Sequence, residues 1–421
     1  MLAQGSLTKS EAVARALSNN YGIRVAGLQV EAASANNTWG TAGALPQVGI
    51  NAVSSSAVSD QSENPTSFIQ ERLASESVNL GGQVSWTLFD GMGMFANKRS
   101  LEAIEAQSEG QAMLVIEQTV EAVMLGYDEV LVQEALLAVL KASCALSRDR
   151  LTWLERKADL GSSGTFERLQ FENSLLADST AYIQQTVART VAMRNLNRLL
   201  GESEDYFWQL TSPLESPGIL ADRDVLDREV RSNTTGVTNA LLAEEITRIG
   251  VDQARSRLYP VLGLSSSFGD QRSEFSAGEL SGSGRTVNTA AGLSLNFNLF
   301  NGGTTRRAIQ QAQIQVEMAA LDVENQQQAA SQVFRNAWDR YQTQAAVHGL
   351  NERALSNARQ TLKMAEERLA YGTISSFEFR DVQINLLRSE AEVLRSLQAW
   401  LAAWTGVQRL RGALRTSLKE E

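Results

Sequence analysis

The 421-residue chain has one cysteine, Cys144, and one histidine, His348. A disulfide framework and a cysteine zinc site are excluded. Multi-histidine metal centres go with them, and a Ser-His-Asp reading is strained. Proline is scarce too: its five positions are 46, 65, 213, 217 and 260, so residues 66–212 and 261–421 contain none. Spans of that kind permit very long helices. Basic residues are outnumbered, 38 Lys and Arg against 48 Asp and Glu, and a net charge of −10 speaks against nucleic acid as a partner. No run approaches the roughly 18 apolar residues of a membrane helix, which on this reading excludes one. A membrane β-barrel stays open, because alternating strands escape hydropathy. The composition, 43% hydrophobic and 20% charged, excludes a largely disordered chain. The start, MLAQGSLTKSEAV, has neither a basic nor an apolar leader region. That fits either a cytoplasmic chain or a mature chain with its signal removed.

What is present is a duplication. GGQVSWTLFDG at 81–91 aligns with GLSLNFNLFNG at 292–302, an offset of 211. The same offset places Gly161 on Gly372, Glu167 on Glu378 and Gly201 on Gly412. Upstream, Gly22 falls on Gly236 and Pro46 on Pro260, an offset of 214. The length change must lie between Pro46 and Gly81, where the polar stretch SSSAVSDQSENPTS has GDQRSEFSAGELSGSG as its counterpart. Both stretches read as exposed loops.

Each half reads as helix, strand, loop, strand, very long helix, turn, long helix. Leu293, Leu295, Phe297 and Leu299 alternate with Ser294, Asn296 and Asn298, and Val84, Trp86 and Leu88 with Gln83, Ser85 and Thr87. Period two with apolar against small polar residues describes strands with one dry and one wet face. Trp86, Phe89, Tyr259 and Phe300 stand towards strand ends, where an aromatic girdle would be. From Met92 and from Gly303 the composition turns to Ala, Gln, Glu, Leu and Arg. Helices of roughly 65 residues, about 100 Å long, are expected there. They stop at Gly161 and Gly372, natural left-handed terminators. Ser162 to Thr165 and Thr373 to Ser376 supply N-cap hydroxyls for the helices that follow.

Four strands cannot close a membrane barrel alone, the smallest having about eight, and open edges are not tolerated in lipid. If these strands enter a bilayer, copies must share the barrel. Small lumen-side residues favour three chains and a wet lumen over two and a plugged one.

The chain resembles the TolC family of outer-membrane efflux and secretion channels. The resemblance rests on LTKSEAVARALSNN (7–20), ALPQVG (44–49), WTLFDG (86–91), LNFNLFNGG (295–303) and the turns RKADLGSSGTFERLQFENSLL (156–176) and RLAYGTISSFEFRDVQINLL (368–387). It implies a mainly α protein with membrane β: four strands per chain contributing to a twelve-stranded trimeric barrel, and helical hairpins forming a periplasmic tunnel. The whole of 1–421 is then one unit of two repeats, about 7–201 and 233–412. Strands fall at about 44–58, 79–90, 259–271 and 290–301. Tunnel helices fall at about 7–42, 92–200, 234–257 and 303–410, and an equatorial region at 202–233 and 411–421. The implied setting is the bacterial outer membrane reaching into the periplasm. The implied partners are outer-membrane lipid, two further copies, a periplasmic adaptor (membrane fusion) protein and an inner-membrane ABC or RND transporter. Neither cofactor nor nucleic acid is expected, and MLAQG looks like a truncated start.

By position, the resemblance carries a constriction of acidic residues onto Glu378 and Asp381, with Glu167 in the first hairpin. Spaced i, i+3, Glu378 and Asp381 share a helix face; the plain alternative is two solvated first-turn acids favoured by the helix dipole. It also places adaptor docking at Gly161, Ser162, Ser163, Gly372, Thr373 and Ile374. The arginine and tyrosine of the family's inter-helix lock are replaced by Ile374 and Leu369; Arg380, beside Asp381, is a candidate substitute, with an ordinary surface charge as the plainer reading. His348 reads as a surface or packing residue, Cys144, Trp400 and Trp404 as packing residues, and Glu121, Asp128, Glu129 and Glu134 as lumen or solvent faces. The function expected is a passive exit duct, not an enzyme. A soluble helical-hairpin scaffold is the competing class.

Overall fold

The period-two segments and the proline-free spans fold as strands and helices in the computed structural model, which describes residues 5–159 and 165–416. In chain order the elements are β1 (Gly5–Leu7), α1 (Lys9–Asn19), α2 (Tyr21–Asn36), β2 (Gln47–Asp60), β3 (Arg72–Phe89), α3 (Gly93–Asp159), α4 (Thr165–Leu200) and β4 (Trp208–Leu210). They continue with α5 (Arg223–Asn233), α6 (Thr235–Ser256), β5 (Val261–Ala277), β6 (Leu280–Asn296), α7 (Thr304–Ala370), α8 (Ser376–Leu410) and α9 (Ala413–Thr416). The duplication is visible in the lengths: α3 and α7 both have 67 residues, and α4 and α8 have 36 and 35. Gly201 and Gly412, which the offset equates, both adopt the left-handed conformation after their helices, at φ 69° and 73°.

The chain divides into two compact units. One comprises residues 1–29, 109–239 and 324–421. Its core joins Leu7, Ala12, Ala16, Val123, Tyr127, Val130, Leu196, Leu200 and Trp208. Burial of a large apolar side chain is worth about 1.5–3 kcal/mol, so this cluster is a principal anchor of the unit. The Tyr127 hydroxyl donates to the Leu7 carbonyl at 2.8 Å and accepts from the Thr211 and Ser212 amides. A second cluster packs Leu226 and Val230 against Phe334, Trp338 and Val407. β1 pairs in parallel with β4, Gly5 opposite Trp208. The start of the chain therefore joins the region expected only at 202–233 and 411–421.

Two further expectations change here. The single helical stretch 7–42 is split at Asn20, whose side chain accepts from the Gly22 and Ile23 amides and donates to the Leu199 carbonyl. A local side-chain bond of this kind ends one helix and caps the next. The exclusion of a membrane helix by hydropathy also fails as stated: α3 holds an 18-residue window apolar and uncharged enough to cross a membrane by length and composition. In this chain its residues Val123, Tyr127 and Val130 are spent on the first core.

The other unit, residues 30–108 and 240–323, holds a four-stranded antiparallel sheet in the order β2-β3-β5-β6. The strands depart from their expected bounds. β3 begins at Arg72 rather than 79, β5 runs on to Ala277 rather than 271, and β6 starts at Leu280 rather than 290 and stops at Asn296 rather than 301. Much of the two polar stretches read as loops is thus strand. Antiparallel pairing joins backbone groups, so Ser- and charge-rich segments complete a ladder that hydropathy does not report. β5 and β6 meet at Gly278 and Glu279 with Gly278 at φ 61°, the glycine-first arrangement of a II′ hairpin.

Candidate functional site

The sheet register sorts the strand residues into two chemically distinct faces. On one, Val48 lies opposite Val84, Trp86 opposite Leu264, and Leu264 opposite Leu293. Ile50, Phe268 and Leu295 belong to the same set. On the other, Gly49 faces Gln83, Ser85 faces Ser265, and Gly263 faces Ser294. The apolar set stands open in the single chain: Ile50 is 82%, Leu293 65% and Leu295 67% exposed. A contiguous exposed apolar face marks a protein or membrane contact. Among the described residues the outer sides of β2 and β6 carry no strand neighbour, so the sheet presents two unpaired edges.

The second candidate site is the turn from α7 to α8. The Thr373 amide donates to the Arg368 carbonyl at 2.9 Å and the Gly372 amide to that of Leu369 at 3.0 Å. With Gly372 at φ 70° this is a Schellman termination. A side chain at Gly372 would pay the left-handed penalty, although nothing lies within 4 Å to obstruct it. Ser375 then opens α8 with a capping box: its hydroxyl accepts from the Glu378 amide, while the Glu378 carboxylate accepts from the Ser375 amide at 2.7 Å and its hydroxyl at 2.9 Å. These bonds, the backbone one foremost, hold the Glu378 carboxyl below its ordinary range. Glu378 and Asp381 line one exposed groove together with Ile384, Asn385 and Arg388. Phe379 and Gln383 are buried from the same helix. Glu378 is thus both a capping acid and a member of the exposed acidic face. Thr373 is exposed and Ile374 half-buried. Gly161, Ser162 and Ser163 lie outside the described residues.

Glu167 does not line that groove. It accepts a hydrogen bond from the Ser376 hydroxyl, which ties the first turn of α4 to that of α8, and Phe166 stacks beside Phe377 at 6.4 Å.

The most elaborate polar site went unread in the sequence. Arg380, expected as a surface charge, grips Asp178 of α4 with two nitrogens, at 2.6 and 3.0 Å. Ser147 and Ser143 of α3 donate to the same carboxylate at 2.6 and 3.2 Å. The side chains are only 16% and 5% exposed. Burial alone would raise the Asp178 carboxyl, but the Arg380 and serine bonds outweigh it and leave it below the ordinary range. Removing one partner from such a pair leaves an uncompensated buried charge.

Other acids read as lumen or solvent faces also prove to be engaged. Asp128 is buried against Lys9 at 2.6 Å, and burial pushes its carboxyl up despite that cation. Glu134 pairs with Arg189 and Glu121 with Arg409, at 2.6 and 2.7 Å. Glu129 accepts from Gln398 of α8. His348 is a buried packing residue beside Trp400, bonded to Ser396 at 3.1 Å. Cys144 is half-buried. Among the described residues, no group of His, Cys, Asp and Glu is arranged to hold a metal ion.

Comparison with known proteins bears on the fold. Residues 228–413 match the family model described as Outer membrane efflux protein. Outer membrane protein TolC of Escherichia coli (strain K12) is 20% identical over 198 residues, 45% of this chain and 40% of that protein, so less than half of that relative is matched. The CmeC outer membrane channel of Campylobacter jejuni superposes with a TM-score of 0.75 at 16% identity, over 98% of this chain and 88% of that one. The MtrE outer membrane channel of Neisseria gonorrhoeae, solved in an open state, gives 0.74 at 17%, over 96% and 88%. The chain thus carries the outer membrane efflux protein pattern across its second repeat and the TolC-like fold across both.

Proposed function

We propose that three copies of this chain form an outer-membrane exit duct, a passive conduit with no catalytic step. The observation that carries the reading is the open-edged sheet with one apolar and one small polar face. Backbone groups on unpaired edges cost several kcal/mol each in hydrocarbon, and pairing β2 of one copy with β6 of the next removes both edges. Three sheets give twelve strands, a number that leaves a wet lumen lined by Ser, Gly, Asn and Gln. The paired helices α3 with α4 and α7 with α8 are the periplasmic part on this reading, and a periplasmic adaptor with an inner-membrane ABC or RND pump would supply cargo and energy, for efflux or type I secretion.

Glu378 and Asp381 are the constriction acids of this reading, three copies converging on the duct axis. Glu167 acts instead as a tie to Ser376. The Asp178 and Arg380 pair, not a bond at Leu369 or Ile374, holds the two hairpins of one chain together in the closed state. Gly372, Thr373 and Ile374, with Gly161, Ser162 and Ser163, form the adaptor-facing tips, where glycine and small hydroxyls let another helical tip approach the backbone. The test is extraction: the protein should leave membranes only with detergent and migrate as a trimer. A monomer stable in plain buffer would favour a soluble hairpin scaffold and end the proposal.

A further inference from the structure

A tilted bilayer strand needs about 9–11 residues. β5 and β6 have 17 each and β3 has 18, so part of each strand must stand clear of hydrocarbon if the sheet lies in a membrane. The register shows which part. On the apolar face, successive cross-strand rows read Trp86, Leu264, Leu293; then Val84, Ser266, Ala291; then Gly82, Phe268, Thr289. None of these is charged. The next rows towards the Gly278 turn read Leu80, Asp270, Val287 and then Val78, Arg272, Arg285. A lipid-facing arginine is strongly disfavoured at the midplane and nearly neutral at the interface. The hydrocarbon therefore ends at the Asp270 row.

The charges at that limit do not balance. Arg272 and Arg285 are direct register partners, and like charges directly opposite destabilise a sheet. One carboxylate serves both: Asp270 takes Arg285 through two bonds of 2.9 Å, while Arg272 approaches it only to 3.9 Å. Asp270 is 16% exposed, whereas the arginine side chains are 68% and 60% exposed. Within these two rows, two guanidinium groups thus share a single carboxylate, with Arg272 the less engaged of the two, on the apolar side, where the headgroups would begin. A guanidinium fork matches a phosphate in shape and charge. One row further out, Glu76 lies opposite Glu274, and these acids repel a second anion from that side.

We infer that Arg272 and Arg285 bind the phosphate of an anionic lipid headgroup at the outer limit of the apolar face. The inference rests on the membrane reading above and adds the lipid chemistry and its depth to it. The trimer in neutral detergent would be titrated with diphosphoryl and with monophosphoryl lipid A, and bound lipid counted by native mass spectrometry. Wild type should prefer the diphosphoryl form. R272Q, which leaves the Arg285 pair with Asp270 whole, should weaken that preference about fivefold, and R285Q by a similar factor. D270N and E274Q should each strengthen it, a change of sign that a merely structural role for the cluster would not produce. An undiminished preference in trimeric R272Q and R285Q overturns the inference. Failure of the wild-type protein to trimerise or to require detergent overturns the membrane reading instead, and the two failures are distinguishable.

Discussion

The two hairpins descend from one repeat, yet their chemistry has diverged. The first, α3 with α4, places its distinctive acid inside: Asp178 is buried and reads across to the other hairpin. The second, α7 with α8, places its acids outside: Glu378 and Asp381 share an exposed groove. Even the equivalent residues Glu167 and Glu378 differ. Glu378 caps its own helix, whereas Glu167 reaches Ser376 of its neighbour. By the offset of 211, Asp178 corresponds to Ser389 and Arg380 to Leu169. The buried pair therefore has no copy in the other half. The two repeats share the length of their helices but not this pair.

The comparison breaks most sharply at Arg380. R380A should cost about 3–5 kcal/mol in urea unfolding, because Asp178 is left charged and buried. The double variant D178L/R380L should cost clearly less than either single change; equal costs would deny the pair its role as holder. Acid gives a smaller effect with a defined sign. The folded Asp178 carboxyl lies below its ordinary value of 3.8, so the pair contributes stability above pH 3.8 and loses it as pH falls through the lower folded value. The stability gap between wild type and D178N should shrink in that acid window and stay constant near neutrality. The smallest effect concerns the exposed acids. E378Q with D381N should lower cation over anion permeability about two- to fivefold in single-channel recordings, while E167Q, whose carboxylate is engaged with Ser376, should alter it less. Equal effects from both hairpins would erase the distinction drawn between them.

How much of this was legible depended on the range of the signal. The 67-residue helices followed from composition and missing proline, and the start of α8 from hydroxyls at 373–376 with Glu378 as a first-turn acid, although their joining as a capping box did not. The apolar halves of the strands were legible by alternation. Their charged halves were not, because a ladder beyond the dry face has no hydrophobic period to betray it. The Asn20 break had a local signal, an Asn two residues before Gly22, that a long helical reading overrode. Arg380 had none: on its own helix it is a charge beside a charge, and its partner is 202 residues away.

Sequence by itself determined the long helices and the apolar halves of the strands, where the second hairpin turns, that the chain is doubled, and that one sheet face is greasy. These follow from backbone periods and turn residues that act within a few positions. Only the tertiary structure decided which acids are buried and partnered, that Glu167 and Glu378 part company, and where along β5 and β6 the uncharged rows end. Those outcomes depend on which distant residues the chain reversals bring within about 3 Å of one another, the reach of a hydrogen bond.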